Sequence, residues 1–235
     1  MKLHRLLVTV FLFLSRSETL QISARLEARY RAAKTLQTTF LERYTEGGRV
    51  VRSEAGTAYF RRPGKMRWEY QSPEDNLFLV DGKIAWFYVP ADHTVTRVPA
   101  KKSADMRTPI ALLAGEMKVS RVCAHVEIST AVPPQSPANT VLHCLLRGET
   151  STTTSQRNSS EAGSQEFNSS EAAFFEVAND TGDLVRILVR ESGGVDVEFR
   201  FSHWQFDPPL DDSLFRFEVP QGVAIVNGES SRTDE

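Results

Sequence analysis

The chain has 235 residues, of which 40% are apolar and 25% charged, and its formal net charge is −2. That balance fits an ordinary globular protein, and basic residues scattered without a stripe exclude a phosphate-tracking surface and hence nucleic acid as a partner. The length suits one large domain or two small ones. Lys2, His4 and Arg5 precede the apolar run Leu6 to Leu14, broken only by Thr9. A membrane span needs ~20 apolar residues, so this run has the length of a signal-peptide core. Residues 1–17 are therefore expected to be an export signal, cut after Ser17, although Arg16 fits that cleavage site poorly. No cysteine follows the run, so no lipid anchor is expected there.

From Leu20 to Tyr44, Leu26, Tyr30, Ala33, Leu36 and Phe40 recur at three- and four-residue spacing, which predicts one long amphipathic helix ended by Gly47-Gly48. The period then changes to two. Arg49 to Arg62 reads as a strand, Pro63-Gly64 as a turn, and Lys65 to Gln71 as a strand with Met66, Trp68 and Tyr70 on one face. Asn76 to Val80 and Ile84 to Val89 form a hairpin about Asp81-Gly82, and His93 to Val98 follows. Thr108 to Ala114 carries Pro109 at a first helical position and Gly115 just past its end, the signature of a two-turn helix. So short an apolar helix is not stable alone and must lie on something.

Val119 to Ser129 and Thr140 to Arg147 read as a strand pair that brings Cys123 near Cys144; a disulfide and two free buried thiols both fit. Residues 150–172 hold almost no large apolar side chains and read as a disordered insertion. Strands resume at Ala173 to Ala178, Leu184 to Glu191 and Val195 to Phe206. Phe215 to Val219 and Val223 to Val226 are two further strand-like pieces, and 229–235 is a polar tail. About ten strands and one long helix make a mainly β protein with helices, a curled antiparallel sheet whose apolar concave face would make a cavity. Residues 18–228 are expected to be its single domain.

The chemistry of catalysis is missing. No Gly-x-Ser-x-Gly elbow, phosphate-binding loop or His-Glu-x-x-His occurs, so no enzyme activity, cofactor or metal is expected. Cys123 and His125 would share a strand face while His143 and Cys144 point to opposite ones, which defeats a four-ligand zinc site. Arg62 shares the phase of Ala58 and Phe60. Either its guanidinium enters the apolar side, where it needs hydrogen-bond partners, or Pro63 bends the strand end and turns it to water.

Four stretches carry a resemblance: Tyr59-Phe60-Arg61-Arg62-Pro63-Gly64-Lys65-Met66-Arg67-Trp68; Val80-Asp81-Gly82-Lys83 with Trp86-Phe87-Tyr88 and Pro90; Thr108-Pro109-Ile110-Ala111-Leu112-Leu113; and Phe206-Asp207-Pro208-Pro209-Leu210 with Leu214-Phe215-Arg216-Phe217 and Pro220-Gln221-Gly222-Val223. In that order they resemble the LolA family of outer-membrane lipoprotein carriers, over about Leu20 to Val226, departing at 150–172 and at the two cysteines. The resemblance implies an incomplete β-barrel with a lidded apolar cavity. It implies a periplasmic, monomeric carrier of lipoprotein acyl chains, taking cargo from an inner-membrane ABC transporter (LolCDE) and giving it to an outer-membrane acceptor (LolB). By motif position Arg62 is the lock that bonds to lid backbone. Phe60, Met66, Trp68, Tyr70, Trp86 and Tyr88 are expected to line the cavity, with Ile110 and Leu113 as its lid. A LolB-like acceptor would need an N-terminal lipidated cysteine, and a periplasmic lipid-binding or sensor domain of related fold remains the alternative.

Overall fold

The computed structural model describes residues 2–101, 108–115, 118–147, 172–191 and 193–228. The first helix, α1, runs from Lys2 to Arg31. It includes the apolar run read as a signal core, and no helix among the described residues is long and apolar enough to cross a membrane. The expected insertion falls outside the described residues except for Ala172, and the polar tail lies wholly outside them.

The predicted helix from Leu20 to Tyr44 is correct only as far as Arg31; Thr35–Glu46 is strand β1. Leu36 and Phe40 satisfy a four-residue and a two-residue period alike. Thr38 between them is fully buried, and with Thr35 and Thr39 it makes a β-branched stretch that favours the strand. Gly47-Gly48 consequently ends no helix. It forms the hairpin turn to β2 (Arg49–Arg61), with φ of 53° and 78° at the two glycines, the left-handed pair such a turn requires.

The next strands are β3 (Lys65–Ser72), β4 (Asn76–Val80), β5 (Ile84–Val89) and β6 (Thr94–Pro99). The short helix α2 spans Thr108–Ala114, and a single turn, α3, spans Val119–Val122. The strand predicted from Val119 therefore starts only at Cys123, where β7 (Cys123–Ile128) begins. Then come β8 (Asn139–Leu146), β9 (Ala172–Ala178), β10 (Leu184–Glu191), β11 (Val195–Phe206) and β12 (Ala224–Asn227). Phe215 to Val219 is not a strand: Asp212–Phe215 is a 3-10 turn capped by the Asp211 side chain, and irregular chain follows.

The twelve strands among the described residues form one sheet in the order β12-β6-β5-β4-β3-β2-β1-β11-β10-β9-β8-β7. It is a curled, open sheet, antiparallel throughout except for β12, which runs parallel to β6. The ends β12 and β7 do not pair, so the barrel stays incomplete.

Its inner face carries the main core. Leu36 and Phe40, Ala58 and Phe60, Met66 and Trp68, Phe78 and Val80, Phe175 and Ile187, and Phe199 and Phe201 alternate into it and meet Ile22, Leu26 and Tyr30 of α1. The outer face is covered in two places. The loop after β7 buries Val132 against Val141, Phe174 and Leu188. The C-terminal arm after β11 buries Phe215 beneath the Arg61 guanidinium, 5.4 Å from its ring centre.

Candidate functional site: a lidded apolar face

Four of the six expected cavity residues share the inner face. Phe60 and Trp68 are fully buried, and Met66 and Tyr70 nearly so. The Trp68 ring lies 4.8 Å from that of Phe40, 5.6 Å from Phe60 and 5.5 Å from Phe199, in edge-to-face contacts, a geometry that aromatic quadrupoles favour. The other two, Trp86 and Tyr88, are on the opposite face. Ala85 is the β5 residue that joins the inner core, and strand alternation sends Trp86 and Tyr88 outward. There they pack on Phe217 of the C-terminal arm at 5.3 and 5.6 Å, and the Trp86 indole donates to Asp81 Oδ2 (3.2 Å). Sequence reasoning missed that the arm gives the outer face its own apolar layer.

Helix α2 lies on the inner face. Ile110 and Leu113 are buried in the core, as are Leu112 and Ala114, which the three-residue spacing did not single out. Arg62 holds this helix down. Its Nε donates to Leu113 O (3.3 Å), and its Nη1 donates to Tyr30 O and to Ala33 O (3.3 Å). The backbone adds two more ties: Arg62 N donates to Lys34 O and Gly64 N to Ala114 O, both at 2.9 Å. The last carbonyls of a helix have no intrahelical donor and carry partial negative charge. One guanidinium thus serves the C-terminal ends of α1 and α2 together, and the Ala33 carbonyl just past α1. The fit is incomplete, since Nη2 is buried without a hydrogen-bond partner. Burial pulls the guanidinium below the ordinary arginine value, with Asp207 and Tyr30 acting the other way; arginine stays charged in any case. Of the two sequence readings, Arg62 therefore takes the apolar side.

Arg61 points the other way. It pairs with Asp212 and donates to Leu210 O, which pins the C-terminal arm.

Cys123 and Cys144 are joined by a disulfide with 5.3 Å between their Cα atoms. The register is not the simple cross-strand one. Cys144 lies opposite Val126, Cys123 lies opposite Leu146, and a bulge falls between Cys123 and His125. The bulge also overturns the expectation that Cys123 and His125 share a face. Cys123 joins the inner core, whereas His125 is exposed beside Glu127, 3.6 Å from its carboxylate.

Two residues were not foreseen. Glu42 is buried on the inner face, where its Oε2 accepts from the Tyr70 hydroxyl (2.8 Å). Glu27 on α1 accepts from Val119 N, the first amide of α3 (2.9 Å). The alternation Leu36-Thr38-Phe40-Glu42 contains the first signal, but only once β1 is read as a strand.

An open groove of about 1130 Å³ lies between the Glu18–Glu27 stretch of α1, the start of α3 and strand β7. None of the expected cavity residues lines it. Phe60, Met66, Trp68 and Tyr70 are enclosed in the main core, and Val119 and Cys123 of that core reach the groove.

The family model for the outer membrane lipoprotein carrier protein LolA matches residues 31–143, a stretch that holds Arg62, α2 and α3. An outer-membrane lipoprotein carrier protein of Chromobacterium violaceum is 30% identical over 214 residues, covering 88% of this chain and 87% of that one. The chain belongs to the LolA family. A second LolA-family relative, the outer-membrane lipoprotein carrier protein of Nitrosomonas europaea, is 29% identical over 83% of each chain. The fold is also that of an uncharacterized conserved protein from Thermus thermophilus, with a TM-score of 0.51, 13% identity, and coverage of 90% of this chain and 99% of that one.

Proposed function

We propose that this LolA-family protein is a periplasmic lipoprotein carrier. Its inner sheet face takes up the acyl chains of a lipoprotein, and the protein moves its cargo from the inner to the outer membrane without doing chemistry on it. In this reading residues 1–17 are the export signal, an ABC transporter of the LolCDE type loads the carrier, and an acceptor of the LolB type unloads it. The observation that carries the reading is the Arg62 guanidinium, bonded at once to the last carbonyls of the lid and of α1 above an aromatic face.

The energetics of such a lid suit reversible carriage. Burial of Ile110, Leu112 and Leu113 against the sheet is worth about 5–9 kcal/mol at roughly 1.5–3 kcal/mol per side chain. An acyl chain gains about 0.8 kcal/mol per methylene. About six to eleven methylenes therefore balance the lid, and a longer chain displaces it with only the difference as net affinity. Arg62 adds to the closed side alone.

The test is Arg62→Leu. It removes charge-assisted bonds worth about 1.5–3 kcal/mol from the closed, empty state and nothing from the open, loaded one. By linkage the variant is expected to hold cargo more tightly and to release it poorly to an acceptor membrane, in an assay following transfer of a loaded lipoprotein. Arg61→Leu is unsuited as a control, since Arg61 fastens the C-terminal arm. Arg190→Leu serves instead, because Arg190 is paired with Asp196 on the outer face. Normal transfer by Arg62→Leu, or equal defects in both variants, would exclude Arg62 as the lock.

A further inference from the structure

We infer that the groove between α1 and the edge strand β7 is the port by which an acyl chain reaches the inner face, and that Glu27 is its latch. The inference rests on the carrier reading and adds the route. Under the lid the described side chains are packed closely: Phe60, Trp68 and Leu113 are each 0% exposed. A chain must first occupy a place that is already open and then wedge the core apart.

The groove is such a place. Its volume of about 1130 Å³ is slightly above the roughly 300–1,000 Å³ range of pockets that hold drug-sized ligands. Leu20, Ala24, Val126 and Ile128 are among its lining residues, with Glu18, Glu27, Glu127 and Arg147 beside them, and Leu20, 64% exposed, is a large apolar side chain in water. Continuity with the inner face comes from Val119 and Cys123, which line the groove and also belong to the main core, while Val126 and Ile128 pack against it. An alkyl chain in the groove therefore touches side chains that belong to the main core itself. This continuity favours an alkyl chain over an extended peptide added to the β7 edge, which would need no apolar path inward.

The two walls of the groove are held by different ties. On one side the Cys123–Cys144 disulfide ties β7 to β8. On the other, α1 and α3 are joined across the end of the groove by the Glu27–Val119 hydrogen bond. Helix α3 follows the lid α2 after four residues of chain, 115–118. A chain that pushes α1 and α3 apart thus acts on the lid from one end, and on the α1 carbonyls that Arg62 holds from the other. Admission and unlocking become one movement.

The experiment is stopped-flow uptake of a fluorescent synthetic peptide bearing an N-palmitoyl, S-diacylglyceryl cysteine. Ala24→Trp and Ala124→Trp each put an indole into the groove from an exposed alanine and leave the inner face untouched. Both are expected to slow uptake by about tenfold, the rate cost of roughly 1.4 kcal/mol of barrier, while the amount bound at equilibrium stays that of the unaltered protein. Glu27→Ala is expected to accelerate uptake. Unaltered rates in both tryptophan variants, with the probe fully bound, overturn the port and leave the carrier reading standing. Failure of the unaltered protein to bind the probe at all overturns the carrier reading and the port with it.

Discussion

Single side chains at the ends of elements hold much of this architecture, and each can be tested alone. Asp81 closes the β4–β5 hairpin: its Oδ1 accepts from Lys83 N and Ile84 N, both at 2.8 Å, and its Oδ2 from the Trp86 indole. Burial by itself pushes this carboxyl up, but the amide and indole donors and the charge of Lys65 outweigh it and hold Asp81 below the usual aspartate value. A carboxyl depressed in the folded state stabilises the fold above its unfolded value of about 3.9, and that stability is lost as pH falls through the lower folded value. Between pH 5 and pH 3 the urea midpoint is expected to fall further in the unaltered protein than in Asp81→Asn; parallel slopes would remove Asp81 from the acid response. Tyr30 is a second case. Its buried hydroxyl accepts from Leu184 N (2.9 Å), fastening α1 to β10. Burial pushes the phenol up despite that hydrogen bond, so it stays neutral. Tyr30→Phe leaves the Leu184 amide without that acceptor, and a loss of about 1–3 kcal/mol is expected in chemical denaturation.

At the scale of elements, the clearest expectations concern the β8–β9 pair and the disulfide beside it. Leu145 of β8 lies opposite Ala172 of β9, so the two strand ends already stand a hairpin turn apart. Replacing residues 148–171 with a short turn is expected to leave the melting temperature and probe binding unchanged, because loop length enters closure entropy only logarithmically; a large drop would assign that segment a packing role. The disulfide closes a loop of 21 residues. Replacing both cysteines with alanine is expected to cost about 2–4 kcal/mol, and thiol labelling of the denatured, unreduced protein should find neither cysteine free. The sequence showed these elements unevenly. Bounds for β4, β5 and β10 could be read directly, because Asp81-Gly82 and Asp180-Thr181-Gly182 punctuate short apolar runs. Strand β1 was hidden because Leu36 and Phe40 continue the helical spacing of Leu26 and Tyr30, and only the buried Thr38 distinguishes the two periods. Strand β12 was visible as a short apolar piece, but its parallel pairing with β6 is set by the arm that precedes it and leaves no local trace. Ile110 and Leu113 were legible as a face that must lie on something, whereas Trp86 and Tyr88 were assigned to the wrong side because a strand covered on both faces offers two apolar phases.

For the molecule as a whole, the proposed carriage makes helix, lid and cargo competitors for one surface of the sheet. Loading is expected to break the Gly64 N to Ala114 O bond. Hydrogen exchange at the Gly64 amide should quicken on loading, while the amides that pair β9 with β10 keep their protection; unchanged exchange at Gly64 would mean that the lid stays down around the cargo. Adjacent arginines face opposite sides of β2: Arg62 grips the two inner helices and Arg61 the outer arm. On the proposed mechanism the pair would act as a built-in gauge of occupancy. A dicarbonyl reagent selective for guanidinium groups should modify Arg62 slowly in the empty carrier and faster in the loaded one. Arg61, one residue away and covered by the arm in both, supplies the reference, so the ratio of the two adducts in a single peptide fragment would measure the fraction of carriers in transit.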